Sequence, residues 1–238
     1  MDGYTYTNIF ATKGIEYLGV IAFLLLLIPF WILLNRTAEV KQQVRLMLGI
    51  LTENILRIPK GLSYSRHHTW TFMERSGTAT VGVDDLLTHI TGEVKFKHLV
   101  EPGDPVMKGE PIAQLEQEGK KLNVCSPISG TVMNFNRSLE AEPGLIADDP
   151  YGKGWLFRVE PVNWKADTAD HYVAAETGNW FRNELERFRD FLGASIPKYS
   201  GQHASVILQD GGELADQPLA GLPGEVWSDF QKEFLDPV

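Results

Sequence analysis

Residues 102–136, PGDPVMKGEPIAQLEQEGKKLNVCSPISGTVMNFN, carry the pattern that decides the fold. Pro102-Gly103 and Gly109-Glu110-Pro111 bracket Val106-Met107, so the chain must reverse tightly on both sides of that dipeptide. Gln114 to Gln117 and Leu122 to Cys125 then flank Glu118-Gly119-Lys120, which reads as the turn of a hairpin. Outward from this stretch the same pattern repeats. TWTFM (69–73), ATVGV (79–83), EVKFKHLV (93–100) and WLFRVEPV (155–162) are short apolar runs broken by Gly and Pro. Short strands with frequent turn residues predict a mainly β sandwich or barrel.

Several blocks in this region, taken in order, resemble the H protein of the glycine cleavage system, a family with the lipoyl/biotinyl-carrier fold. They are YSRHHTW (64–70), ATVGVDD (79–85), TGEV (91–94), PGDPVMKGEP (102–111), Glu116, SPISGTVMNFN (126–136) and DPYGKGWLFRVEP (149–161), and together they cover roughly 63–163. The resemblance implies a barrel-sandwich hybrid of two small sheets, with a lipoyl-bearing lysine exposed at a hairpin tip. In the family that lysine follows the glutamate after the GEP block by three positions and precedes the proline of the SPISG-type segment by eight. Counting from Glu116 or back from Pro127 lands on Gly119 both ways. The position expected to bear the cofactor is therefore a glycine, with Lys120 and Lys121 directly after it. In one reading Gly119 supplies the positive φ of a tight turn, the lysines are solvated and no cofactor is expected. In the other, Lys120, or less readily Lys121, is the lipoyl attachment point.

Composition narrows the remaining chemistry. Among 238 residues, 22 Lys+Arg against 31 Asp+Glu leave a formal charge of −9 with no basic run, which argues against a nucleic-acid partner. A single cysteine, Cys125, excludes an intrachain disulfide and any multi-cysteine metal site, and its place in an alternating run points to packing. His67 and His68 read as adjacent strand residues on opposite faces, and with His89 and His98 they are expected to be structural. The pairs Asp84-Asp85 and Asp148-Asp149 read as helix caps and turn residues, with no base or nucleophile beside them in sequence. No nucleophile elbow, phosphate loop or dinucleotide fingerprint occurs. No catalytic residue and no metal site are expected, and the chain is not expected to be an enzyme.

The ends of the chain differ from its middle. Residues 15–34, IEYLGVIAFLLLLIPFWILL, match the length of a membrane span, with Tyr17 and Trp31 near its ends and no small-residue cleavage site after it. Arg36, Lys41 and Arg45 follow closely, so a single-pass inner-membrane anchor is expected, N-terminus outside and bulk on the cytoplasmic side. Val40, Val44, Met47, Leu48, Leu51, Ile55 and Ile58 recur at helical spacing and predict an amphipathic helix, packed on its own domain or on a membrane or partner. Trp180, Phe181, Leu185, Phe188 and Leu192 predict a helix over 176–192, ended by Gly193. Beyond it, 205–208 offers an edge strand and 224–235 a last helix, on a tail that either folds back or docks on another protein.

The expected organisation is an anchor (1–36), a linker helix (37–60), the H-protein-like β domain (61–165) and a helical extension with a docking tail (166–238). Two functions compete. One is a non-catalytic scaffold subunit of a multi-subunit membrane complex, by analogy a respiratory, quinone-linked one. Its partners would be integral-membrane and cytoplasmic subunits and, through 15–34, the lipid bilayer. The other is a tethered carrier, lipoylated on Lys120, that shuttles acyl or aminomethyl groups or reducing equivalents. A peptide- or ligand-binding module is a third class, for which no particular ligand is indicated.

Overall fold

Alternation of buried and exposed side chains along short strands builds the body of the protein. Along β10 (Phe157–Pro161), Phe157 and Val159 are buried while Arg158 and Glu160 face water, the signature of a strand with one face on a core. The computed structural model describes residues 17–30, 50–52, 54–199, 208–209 and 213–236. The chain divides into two compact units, Met1–Gly49 and Ile50–Val238.

In the first unit the described residues form one helix, α1 (17–30). At 1.5 Å per residue it extends roughly 21 Å, short of the roughly 30 Å hydrocarbon layer. Among the described residues no helix is long and apolar enough to cross a membrane. The expected transmembrane helix over 15–34 is corrected accordingly, and with it the single-pass inner-membrane placement. Positions 15–16 and 31–34 of that expected span lie outside the described residues.

Among the described residues of the second unit every strand pairing is antiparallel. The remaining strands are β1 (Ile50–Leu51), β2 (Ser63–Tyr64), β3 (Thr69–Met73), β4 (Ala79–Val83), β5 (Lys95–His98), β6 (Pro105–Val106), β7 (Pro111–Gln117), β8 (Lys120–Cys125), β9 (Gly130–Phe135), β11 (Tyr172–Val173), β12 (Leu208–Gln209) and β13 (Glu213–Ala215). A seven-stranded sheet runs β11-β2-β3-β4-β10-β9-β6, and a three-stranded one runs β5-β7-β8. Phe96 of β5 meets Phe157 of β10 edge-on at 5.7 Å, so the core lies between these two sheets. The mainly β sandwich expected from residues 102–136 is the fold observed.

A third small sheet, β1-β13-β12, joins Ile50-Leu51 to the chain's far end. Ile50 and Leu51 thus pair as a strand with Ala215 and Leu214 instead of continuing the helix expected through Ile58. Strand pairing and full burial of Leu51 override the local helical spacing. The part of that expected helix before Ile50 lies outside the described residues.

Short helices fill the connections: α2 (Asp85–Thr91), α3 (Ser138–Ala141), α4 (Leu145–Asp148) and α5 (Trp164–Asp167). The long helix α6 runs Ala175–Tyr199, past the stop expected at Gly193. An exposed glycine inside a helix costs about 1 kcal/mol, offset by contacts beyond it: Tyr199 packs against the core and its hydroxyl donates to the Asp229 carboxylate at 2.8 Å. The last helix, α7 (Gly224–Phe230), passes into one π turn, Gln231–Leu235. Trp227, Phe230 and Phe234 of this segment are buried, and Phe230 lies 5.6 Å from Phe188 of α6. The described part of the tail therefore folds back on its own domain, and burying its large apolar side chains stabilises that arrangement by about 2 kcal/mol each.

Candidate functional site

The hairpin joining β7 to β8 is the feature the sequence singles out. Gln117 pairs with Lys120 and Glu116 with Lys121, so only Glu118 and Gly119 lie between the strands. Both have positive φ, 50° and 84°, the requirement of a two-residue turn matched to the strand twist. A Cβ on Gly119 would meet nothing within 4 Å. Gly119 thus stands at the open tip, whereas Lys120 begins β8 and lies outside the turn proper.

Period-two geometry then separates the two lysines. Lys120 shares its side of β8 with the buried Leu122 and Val124. Its ammonium donates to the Ala220 carbonyl at 2.6 Å and contacts that of Leu222 at 3.4 Å. It also lies 5.1 Å from the centre of the Trp227 ring, and its side chain is 12% exposed. Lys121 points the other way, 3.1 Å from Glu116 and half exposed. A cleft of about 810 Å³ opens beside the tip, lined in part by Glu93, Lys95, Glu116, Gln117, Glu118 and Gly119.

An acyl arm does not fit Lys120 in this setting. Amide formation would replace the charged ammonium by a single neutral N–H, forfeiting the cation–carbonyl and cation–indole attraction. It would also place a chain where Ala220, Leu222 and Trp227 already lie. Lys121 is accessible, but it stands on the strand and not at the tip.

The histidines do not lie as the sequence suggested. Arg66 and His67 form a turn between β2 and β3, and His68 follows it in a left-handed conformation, φ 57°, so His67 and His68 are not strand neighbours. His68 is fully buried, with Nδ1 2.8 Å from Asp84 and Nε2 3.4 Å from Glu184 of α6, a separation for charge attraction but not a formed hydrogen bond. Its ring stacks between Trp180 and Phe234, at 5.2 and 5.0 Å. Burial alone would depress the imidazole's pKa, but Asp84 and Glu184 outweigh it and raise it to about 9.

Asp84 also caps α2, accepting from the Leu87 N–H at 2.8 Å, as expected of a cap. Its neighbour Asp85 accepts from the Arg57 main chain and guanidinium and lies 3.6 Å from His89. His89 reaches Asp216 with its other nitrogen at 2.8 Å. Burial opposes its charge, and Asp216 and Asp85 again prevail, raising its pKa to about 9. His89 lies one helical turn from Asp85, but Arg57, Glu184 and Asp216 are distant in sequence and only long-range packing brings them in. His98 stacks on Phe135 at 4.0 Å. Asp148 accepts from Arg57 through its main-chain carbonyl, and the Asp149 carboxylate accepts from the Lys153 N–H. Cys125 is buried against Asp236, and burial first, then that carboxylate, pushes its thiol up to about 12. Among the described residues no group of three or more His, Cys, Asp or Glu is placed to hold a metal ion.

Comparison with known proteins places this geometry in context. A family model described as "Glycine cleavage H-protein" matches residues 62–180. The chain is 39% identical over 128 residues to the "Glycine cleavage system H protein" of Psychrobacter cryohalolentis, covering 54% of this chain and 98% of that protein. It is 42% identical over 102 residues to the protein of the same name from Rubrobacter xylanophilus, covering 43% of this chain and 80% of that one. A crystal structure of a glycine cleavage system H protein from Mycobacterium marinum aligns with a TM-score of 0.41 at 31% identity, covering 44% of this chain and 87% of that one.

Proposed function

This chain belongs to the glycine cleavage H-protein family, and from that premise we propose that it works as a non-catalytic accessory subunit, a carrier-type domain retained as a scaffold without its carrier lysine. In this reading residues 61–165 supply the carrier-type body and 166–238 an extension that shapes its surface for other protein subunits. The observation that carries it is the state of the hairpin. Gly119 occupies the open tip, and the nearest lysine amine, on Lys120, is engaged by Ala220, Leu222 and Trp227. A carrier has to present its attachment point to a modifying enzyme and then swing the arm between sites, and a largely covered, partnered ammonium serves neither step. The competing function, transport of acyl or aminomethyl groups or reducing equivalents on a lipoylated Lys120, would require that contact set to be absent.

Intact-mass spectrometry of the chain purified from its native source tests the proposal. The expected result is the mass of the unmodified sequence, with other protein subunits accompanying it through mild purification. A lipoyl adduct mapped to Lys120 or Lys121 would overturn the scaffold function in favour of the carrier.

A further inference from the structure

The elements that hold Lys120 come from outside the stretch matched to the family, which ends at residue 180. The segment 213–235 begins as β13, runs through a turn at Leu219–Leu222 and ends in α7 and its π turn. It is attached to the carrier-type body at separate points. At one end Asp216 pairs with His89, and the N–H groups of Gln217 and Leu219 donate to the carbonyls of His89 and Ile90. At the tip the Ala220 and Leu222 carbonyls and the Trp227 face enclose the Lys120 ammonium. Along β8, the outer strand of its sheet, Gln231 uses its amide on the main chain of Asn123, accepting at 2.7 Å from the N–H. At the far end the His67 ring meets the Leu235 carbonyl at 2.6 Å.

This arrangement satisfies a cation and an open strand edge that a bare carrier hairpin would offer to another molecule. We infer that residues 213–235 are an intramolecular cap on the hairpin, and that any macromolecule engaging the hairpin at Lys120 must first displace them. The cap and an incoming partner then compete for the same groups, so partner affinity is reduced by the fraction of molecules in which the cap is closed. The inference rests on the hairpin being the family's working site. It concerns the unmodified chain, in which the Lys120 amine is free to make these contacts.

Amine footprinting with the N-hydroxysuccinimide ester of acetate on the full chain, read peptide by peptide, tests the cap. Lys121 is the open reference. Lys108, held by Asp167 and Asp170, is the reference for an intact body. In the unaltered chain Lys120 is expected to react at least about ten-fold more slowly than Lys121, because reaction waits for local opening. Trp227→Ala is expected to bring Lys120 close to the rate of Lys121 while Lys108 stays slow. If Lys108 also becomes fast, the body has unfolded, and Asp216→Asn, which loosens only the attachment to His89, decides instead. It should raise the Lys120 rate several-fold with Lys108 unchanged. Equal rates for Lys120 and Lys121 in the unaltered chain would overturn the cap. So would a Lys120 that stays protected in the deciding variant. The footprinting is done on chain whose intact mass is that of the unmodified sequence, so failure of the cap is read separately from failure of the scaffold function, which the mass of the native protein reports.

Discussion

His68 and Asp84, sixteen residues apart in sequence, meet at 2.8 Å in the interior, and both side chains are entirely removed from solvent. An isolated charge there would cost many kcal/mol. Asp84 on one side and Glu184 on the other make the imidazolium the favoured form, and the rings of Trp180 and Phe234 close the sandwich. One side chain thereby joins strand, long helix and tail.

A pH dependence follows. The folded-state pKa of His68 and of His89 is raised to about 9 from the ordinary 6.5, so their contribution is full below about pH 6.5 and is lost as pH rises through 9. For the fully buried His68 the linkage is on the order of 3 kcal/mol. Urea unfolding midpoints should fall steadily between pH 6.5 and 9.5, and His68→Gln should be less stable at pH 6.5 and show a flatter profile. A midpoint independent of pH across this range would contradict it.

Gly130, in the SPISG segment, has no room for a side chain. A Cβ there would collide with the Glu160 carbonyl of the paired strand and approach Val159 Cγ1 at 2.7 Å. Gly130→Ala should therefore cost about 2–3 kcal/mol, since the obstruction is backbone of β10, which pairs with β9 at this position. Chemical denaturation measures the loss, and an unchanged midpoint would show that the strands can separate cheaply.

Cys125 should be inert in the native state. Its thiol, pushed up to about 12, is almost entirely protonated at pH 8, and only the thiolate attacks. Ellman's reagent should label it at the rate of unfolding, accelerating in urea. Rapid labelling without denaturant would show that the Asp236 contact opens readily.

Restoring a lysine at the tip should restore modification. Gly119→Lys places an amine in open space, at a cost of roughly 1–2 kcal/mol for a side chain at positive φ. Incubated with lipoate, ATP and a lipoate ligase, the variant should gain a lipoyl group on residue 119, whereas the unaltered chain remains unmodified. A folded variant that is not modified would show that residue 119 is not the presentation point.

The strands were legible wherever a run of alternating residues ended in a Gly or Pro turn, as in TWTFM or PIAQLE, because strand and turn preferences act over a few residues. The glycine at the hairpin tip was legible for the same reason, by counting from Glu116 and Pro127. The helix through Ile58 was misread because its spacing carried no trace of the pairing between Leu51 and Leu214. The clamps of His68 and His89 were equally hidden, since their partners Glu184 and Asp216 lie more than a hundred residues away.

By itself, then, the sequence determined the β sandwich, the tight turn and the absence of a lysine at position 119, all consequences of local backbone preference and residue order. Tertiary structure alone decided that Lys120 is enclosed, that the tail returns to cover it, and that His68 holds its charge in the interior while His89 holds its own at the half-buried edge. Those outcomes depend on desolvation and on contacts between distant segments, which no local pattern encodes.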